Sequence, residues 1–358
     1  MILIDRHIRN IVLLSMIVVI ALIATLDLIF GLLDQLADTD ENYNPVNALS
    51  FVLLTMPTSI YELLPFAALG GALIGLGILA SHNELVVIQS AGVPVSRIIF
   101  AVLKPVLFVM CLSLLLGEYI SPPLEQLAQS NKAIQSSGGS TVNPEQGTWQ
   151  RVGNEFIHIN AIAPGGRQLF GVSRYQVDHN RRLESLSFND SATYVEEENG
   201  SYWRLNNVQE STFSQGSVAT QRYLQKDWQV NLSPELLSVL LVDADEQSIS
   251  GLYRFAEYFE AEGLDTDTYY LAFWKKVLQP LSTLSLVILA ISFVFGPLRE
   301  ATMGARVFVA LGTGLVFTIL QRMMEPASLL YGFNPLVAVL IPIILCAGFG
   351  ILLLLKVR

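Results

Sequence analysis

Six long, predominantly apolar runs constrain this chain more than any other feature: about Ile11–Leu33, Phe51–Ala80, Ile98–Ile120, Ala272–Phe295, Val307–Met324 and Pro335–Leu355. A helix needs about 18 or more such residues to cross a hydrocarbon core of roughly 30 Å. The chain is 52% hydrophobic and 15% charged, with a mean hydropathy of +0.49, whereas soluble domains carry roughly a quarter charged residues. The first run is too long for the core of a secretory signal, and no small-residue cleavage site follows it. The expectation is a multi-pass membrane protein with six spanning helices.

No comparable run falls between residues 122 and 263. Short stretches of alternating, β-branched or aromatic residues stand there instead, punctuated by Gly153-Asn154, Pro164-Gly165-Gly166, Asp178-His179-Asn180 and Asn199-Gly200. They predict strands at Glu155–Asn160, Leu169–Val177, Arg182–Phe188, Ala192–Val195, Tyr202–Leu205, Val208–Phe213, Val218–Leu224 and Trp228–Leu232. So many short strands suggest a sandwich or jelly-roll. Ser250–Glu262 then repeats apolar residues at helical spacing and stops at Gly263, a connector helix back to the bilayer. The predicted fold is therefore a membrane α-helical protein, six transmembrane helices with an inserted all-β, jelly-roll-like domain. Its parts are spans one to three (1–121), the β domain with its connector (122–263), and spans four to six (264–358).

Charge sets the orientation. Lys and Arg accumulate in cytoplasmic loops, and with six spans Arg6, Arg9, Arg97, Lys104, Arg299, Arg306, Lys356 and Arg358 all fall on one side. The acidic 34–41 loop and the insert fall on the other, so both termini are predicted cytoplasmic. The insert holds 18 acidic and 10 basic residues, a net −8 of the chain's −10. That surface is wrong for nucleic acid.

The loop after span two is the most informative short segment. Ser81, with Glu84 three residues on, then Leu85-Val86-Val87-Ile88 and Gly92-Val93-Pro94, marks both ends of a brief helix over about 82–92. An apolar run on the cytosolic face has to be covered. Two covers are open: a partner's groove, or the chain's own membrane helices, with Glu84 merely closing a capping box on Ser81.

Within the spans, Gly71 and Gly75 have the small-xxx-small spacing that brings helices together, and Pro57 and Pro65 suggest a bent entry to span two. Asp27, Gly31 and Asp34 form a stripe near the outer end of span one. Intramembrane carboxylates usually face a wet cavity or a protein interface, although Asp34 is close to the water boundary. Lys275, Lys276 and Arg322 are basic residues on the outer side. They can receive an anionic headgroup or simply snorkel.

The sequence carries none of the common catalytic motifs. There is no phosphate-binding Gly-x-x-x-x-Gly-Lys-Ser/Thr, no His-Glu-x-x-His and no Gly-x-Ser-x-Gly. His7, His82, His158 and His179 are scattered across both sides, and Cys111 and Cys346 both lie in spans, so neither a metal site nor a disulfide is expected. An intramembrane lipid-modifying enzyme would need convergent reactive groups at one depth, and an external sensor would leave the apolar cytosolic helix unexplained.

Several stretches, in order along the whole chain, resemble the LptF/LptG permeases of bacterial lipopolysaccharide export. They are Leu33-Asp34-Gln35-Leu36, Glu84-Leu85-Val86-Val87 with Ala91-Gly92, Gly117-Glu118, Ser248-Ile249-Ser250-Gly251-Leu252, Phe295-Gly296-Pro297-Leu298-Arg299, and Met303-Gly304 with Arg306. The last two groups incline the resemblance toward the LptG branch. It implies an inner-membrane protein with its β domain in the periplasm, an LptF-like partner permease, a cytosolic LptB-like ATPase dimer that holds the ATP and Mg, and an LptC-like periplasmic jelly-roll that receives the lipid. This chain itself would carry no cofactor. A permease for a related envelope lipid or lipoprotein is the alternative. The resemblance also makes Glu84, Leu85, Val86 and Ile88 an ATPase-coupling helix, and Asp27, Asp34, Lys275, Lys276 and Arg322 candidate lipid contacts. Relatives often carry a Lys where this chain has Gly31, so a basic contact in span one is not implied here. Lys276 matches a family Lys and is the better candidate.

Overall fold

The computed structural model describes residues 2–39, 42–136, 147–178, 182–197, 200–214, 217–230, 232–234, 236–237, 242–261, 266–296 and 301–356. Its first helices are α1 (Ile2–Ala37), α2 (Pro45–Ser81), α3 (Glu84–Ser90) and α4 (Val95–Leu115), which continues through a π-helical turn at Leu116–Ile120 into α5 (Ser121–Ser136). After the sheet come α6 (Ile249–Ala261), α7 (Asp267–Val277), α8 (Gln279–Phe295), α9 (Met303–Tyr331) and α10 (Pro335–Lys356). Among the described residues, the helix through α4 and α5, together with α1, α2, α9 and α10, gives five that are long and apolar enough to cross a membrane. The pair α7–α8, bent by 50°, makes a sixth if counted as one span. Pro57 and Pro65, expected to bend the entry to span two, both lie inside α2.

The chain packs as two units. The first comprises Met1–Ile29, Met56–Ile120 and Ser248–Arg358; the second, Phe30–Thr55 and Ser121–Gln247. The connector helix α6 thus packs with the helical unit, while the ends of α1 and α2 near residue 40 belong with the sheet. The Gly263 stop, the His179-Asn180 turn and Pro297-Leu298-Arg299 lie outside the described residues.

In the helical unit, Ile8, Val12 and Met16 of α1, Leu69, Leu73 and Leu76 of α2, and Leu286, Val287 and Ile291 of α8 form one buried core. Leu14, Phe108, Leu315 and Leu352 are exposed, as suits surfaces wetted by lipid. Lipid tails are as apolar as Leu, so close backbone packing rather than the hydrophobic effect holds such helices together. A Cβ on Gly71 would lie 2.6 Å from Met16 Cα, and one on Gly75 would lie 3.0 Å from Val12 Cα. The two glycines therefore let α1 and α2 touch backbone to backbone.

The second unit carries a six-stranded antiparallel sheet in chain order: β1 (Thr148–Val152), β2 (Glu155–Ile162), β3 (Gln168–Val177), β4 (Leu183–Glu197), β5 (Gly200–Ser214) and β6 (Ser217–Trp228). Two pairs of predicted strands are single long strands. Arg182–Phe188 and Ala192–Val195 merge in β4; Tyr202–Leu205 and Val208–Phe213 merge in β5. The polar Asn189-Asp190 and Asn206-Asn207 read as turns because they make a local distortion within the pairing. Asn207 takes a left-handed φ of 52°, its amide donates to Asp190 at 2.8 Å, and the Asn189 amide donates to the Val172 carbonyl at 2.9 Å. Of the strand predicted at Trp228–Leu232 only Trp228 lies in β6, Asn231 being outside the described residues, and β1 stands where the sequence predicts no strand. Ile157, Ile159, Leu169, Val172, Trp203 and Leu205 fill the core. The Trp203 indole donates to the Leu232 carbonyl at 2.8 Å, so its one polar atom is satisfied on burial.

Candidate functional site

The loop between α2 and α4 folds as the short helix foreseen, but its start is built differently. The Ser81 hydroxyl donates back to the Ile78 carbonyl at 2.9 Å, ending α2 instead of capping α3. Asn83, left-handed at φ 61°, turns the chain and makes no side-chain cap. The Glu84 carboxylate is free of Ser81 and accepts from His7 Nε2 of α1 at 2.8 Å. The capping-box reading of Glu84 is therefore incorrect. At the other end Gly92 takes φ 84° and Pro94 precedes α4, as the Gly-Pro signal indicates.

The apolar run divides between two faces. Leu85 and Ile88 are buried in the helical core, whereas Val86 is 45% and Val87 65% exposed. Of the residues expected to meet a partner, Leu85 and Ile88 are thus covered by the chain itself. Val86 and Val87 are the uncovered pair; Val87, although part of the apolar run, is not among the four residues expected to couple.

The candidate lipid contacts do not form one cluster. On α1, Asp27 is half-buried and Asp34 exposed. Lys275 pairs with Glu325 of α9 at 3.0 Å, and Arg322, a turn earlier on α9, is exposed. Lys276 is buried, with its ammonium 5.2 Å from the centre of the Tyr61 ring, a cation–π arrangement that is strongest out of water.

Prolines explain why this spot is built as it is. Pro65 has no N–H to offer the carbonyl four residues before it, which is that of Tyr61, and the Gln279 amide supplies the missing donor at 3.0 Å. Pro280, in the first turn of α8, cannot continue α7, so the helix breaks there and both lysines occupy its last turn, where the helix dipole favours cations. The Tyr61 ring also fills the space beside Gly117, where a Cβ would come within 2.6 Å of it. Tyr61 therefore joins α2, the π-helical turn and the α7–α8 break. Nothing in its local sequence marks that role.

A second long-range tie lies at Glu118. Its two carboxylate oxygens accept from the Ile249 and Ser250 amides at 2.8 and 3.3 Å, while the Ser248 hydroxyl accepts from Gly251 at 3.0 Å. A carboxylate at a helix N-terminus satisfies amides that the helix leaves open. This fixes the start of α6, where the chain returns from the insert, against the end of span three.

In the second unit Lys132 of α5 pairs with Asp38 at 3.0 Å and lies 5.1 Å from the Phe51 ring. Outside the spanning helices, burial raises the pKa of Tyr43, and donation to Glu197 raises that of Tyr202. Both phenols stay neutral and mark no reactive centre.

The family described as "Lipopolysaccharide export system permease LptF/LptG" matches residues 6–356. The chain belongs to the LptF/LptG family. Its similarity to lipopolysaccharide export system permease protein LptG of Escherichia coli strain K12 is 34% identity over 340 residues, 94% of each chain. For the Haemophilus influenzae LptG it is 32% over 342 residues, 95% of each. Helices and sheet of this LptF/LptG-family chain are thus both inside the matched region.

Proposed function

We propose that the chain is an LptG-type permease subunit that lifts lipopolysaccharide from the outer leaflet of the bacterial inner membrane and passes it toward a periplasmic β-domain bridge. The carrying observation is the end-to-end match to curated LptG proteins across both the spans and the inserted sheet. In this reading both termini and α3 are cytosolic and the sheet is periplasmic. An LptF-like permease completes the cavity, an LptB-like ATPase dimer supplies ATP hydrolysis with Mg, and an LptC-like domain takes the lipid.

The physics requires that division of labour. Each acyl CH₂ moved out of the bilayer costs about 0.8 kcal/mol, so extraction needs both a continuous apolar path and external work. The helices provide the path, and Val86 and Val87 of α3 offer the surface on which the ATPase acts. Lys276, buried on Tyr61 at the broken span, is the candidate for meeting lipid phosphate. Lys275, held by Glu325, is less available. The sheet edges β1 and β6 present backbone groups for an added strand, and residues 217–225 of β6 are exposed on both faces.

Affinity purification from detergent tests this reading. A second permease and a cytosolic ATPase should be recovered in fixed stoichiometry, and ATP hydrolysis should respond to lipopolysaccharide. Recovery of the chain alone, or of an ATPase indifferent to lipopolysaccharide but stimulated by lipoprotein, would contradict it.

A further inference from the structure

The end of α1 nearest α3 is bonded to both ends of the segment that carries α3. His7 Nε2 donates to Glu84 at 2.8 Å, where α3 begins. Arg97, in the first turn of α4, donates from Nε and Nη2 to the two oxygens of Asp5 at 3.1 and 3.0 Å. Asp5 and His7 stand two residues apart on one helix, so a single short stretch of α1 holds both sides of the loop. Below the polar ties, Ile8 is buried in the same core as Leu85 and Ile88. One to two turns further, Val12 and Met16 meet Gly75 and Gly71 at backbone distance.

Stability is a poor account of the His7–Glu84 contact. Its side chains are 53% and 40% exposed, and exposed ion pairs add little to folding. A bidentate guanidinium–carboxylate pair, by contrast, fixes geometry, and two ties on opposite sides of a loop fix its position relative to the helix. Glu84 is also engaged within its own chain, by His7.

We propose that His7, backed by the Asp5–Arg97 pair, makes the end of α1 part of the coupling element, so that displacement of α3 reaches span one directly through Glu84–His7. The proposal rests on the reading of α3 as the ATPase-facing helix, and it assigns His7 a positioning role. Glu84 then acts by holding α1, with Val86 and Val87 making the contact to the partner.

The test uses the full complex with both native cysteines replaced, Cys111→Ser and Cys346→Ser, as the parent. In the His7→Cys/Glu84→Cys variant under reducing conditions the tie is lost, and lipopolysaccharide moved per ATP hydrolysed should fall several-fold. Joining the two thiols by oxidation or a short bifunctional reagent should restore at least half of the parent's ratio, because a covalent link replaces the polar one. Three results would overturn the proposal: an unchanged ratio in the reduced variant, thiols that cannot be joined, or a joined protein that stays uncoupled. The last would mean that the Glu84 charge acts on the ATPase itself. A parent complex that binds no ATPase would instead defeat the functional reading.

Discussion

Gly71 is where a single atom matters most. A Cβ there would meet Met16 at 2.4 Å on its side chain and at 2.6 and 2.8 Å on its backbone, and backbone cannot swing aside as a flexible side-chain tip can. Gly71→Ala should push α1 and α2 apart at a cost of about 1–3 kcal/mol, typical of overpacking, and lower the thermal midpoint of the detergent-purified protein. Gly304→Ala, with nothing within 4 Å, should leave it unchanged. Equal midpoints would refute the close approach. The Gly71 and Gly75 spacing was legible in the sequence because helical periodicity puts the two on one face. The partners of Glu84 and Lys276 were not. His7 and Tyr61 are brought to them by the packing of separate helices, and spacing along one helix carries no information about that.

At the scale of elements, α3 shows what a binary apolar pattern leaves undecided. Leu85-Val86-Val87-Ile88 reads as uniformly apolar, yet a helical turn sends Leu85 and Ile88 inward and Val86 and Val87 outward. The two faces predict opposite failures. Val87→Asp should leave the protein folded but reduce recovery of the ATPase about tenfold, on the order of 1–2 kcal/mol of lost contact. Leu85→Asp should impair folding, since an unpaired charge would be buried. Quantitative co-purification with a thermal melt separates the outcomes, and full ATPase recovery with Val87→Asp would refute the assigned face. The spans were legible as apolar runs, and the α7–α8 break has its cause in Pro280. The long strands β4 and β5 look broken in sequence because paired Asn and Asp residues imitate turns, although here they hydrogen-bond across neighbouring strands.

For the whole molecule, two units divide the work. One is a helical body that exposes many large apolar side chains and whose α1 and α2 meet at Gly71 and Gly75; the other is a sheet with a core of its own. The existence of both was legible from hydropathy and turn residues. The exchange of segments between them was less so: the ends of α1 and α2 fall in the unit that holds the sheet, where Lys132 of α5 meets Asp38 and Phe51, and α6 packs with the helices, tied by Glu118. In the proposed function this chain is a lipid path driven from outside itself through α3. Reconstitution tests it most directly, with the chain, its partner permease and the ATPase placed in vesicles carrying lipopolysaccharide, and transfer to a soluble periplasmic acceptor measured with and without ATP. Transfer that requires ATP and all three components is the predicted result. ATP-independent transfer, or transfer undiminished when this chain is left out, would contradict the account.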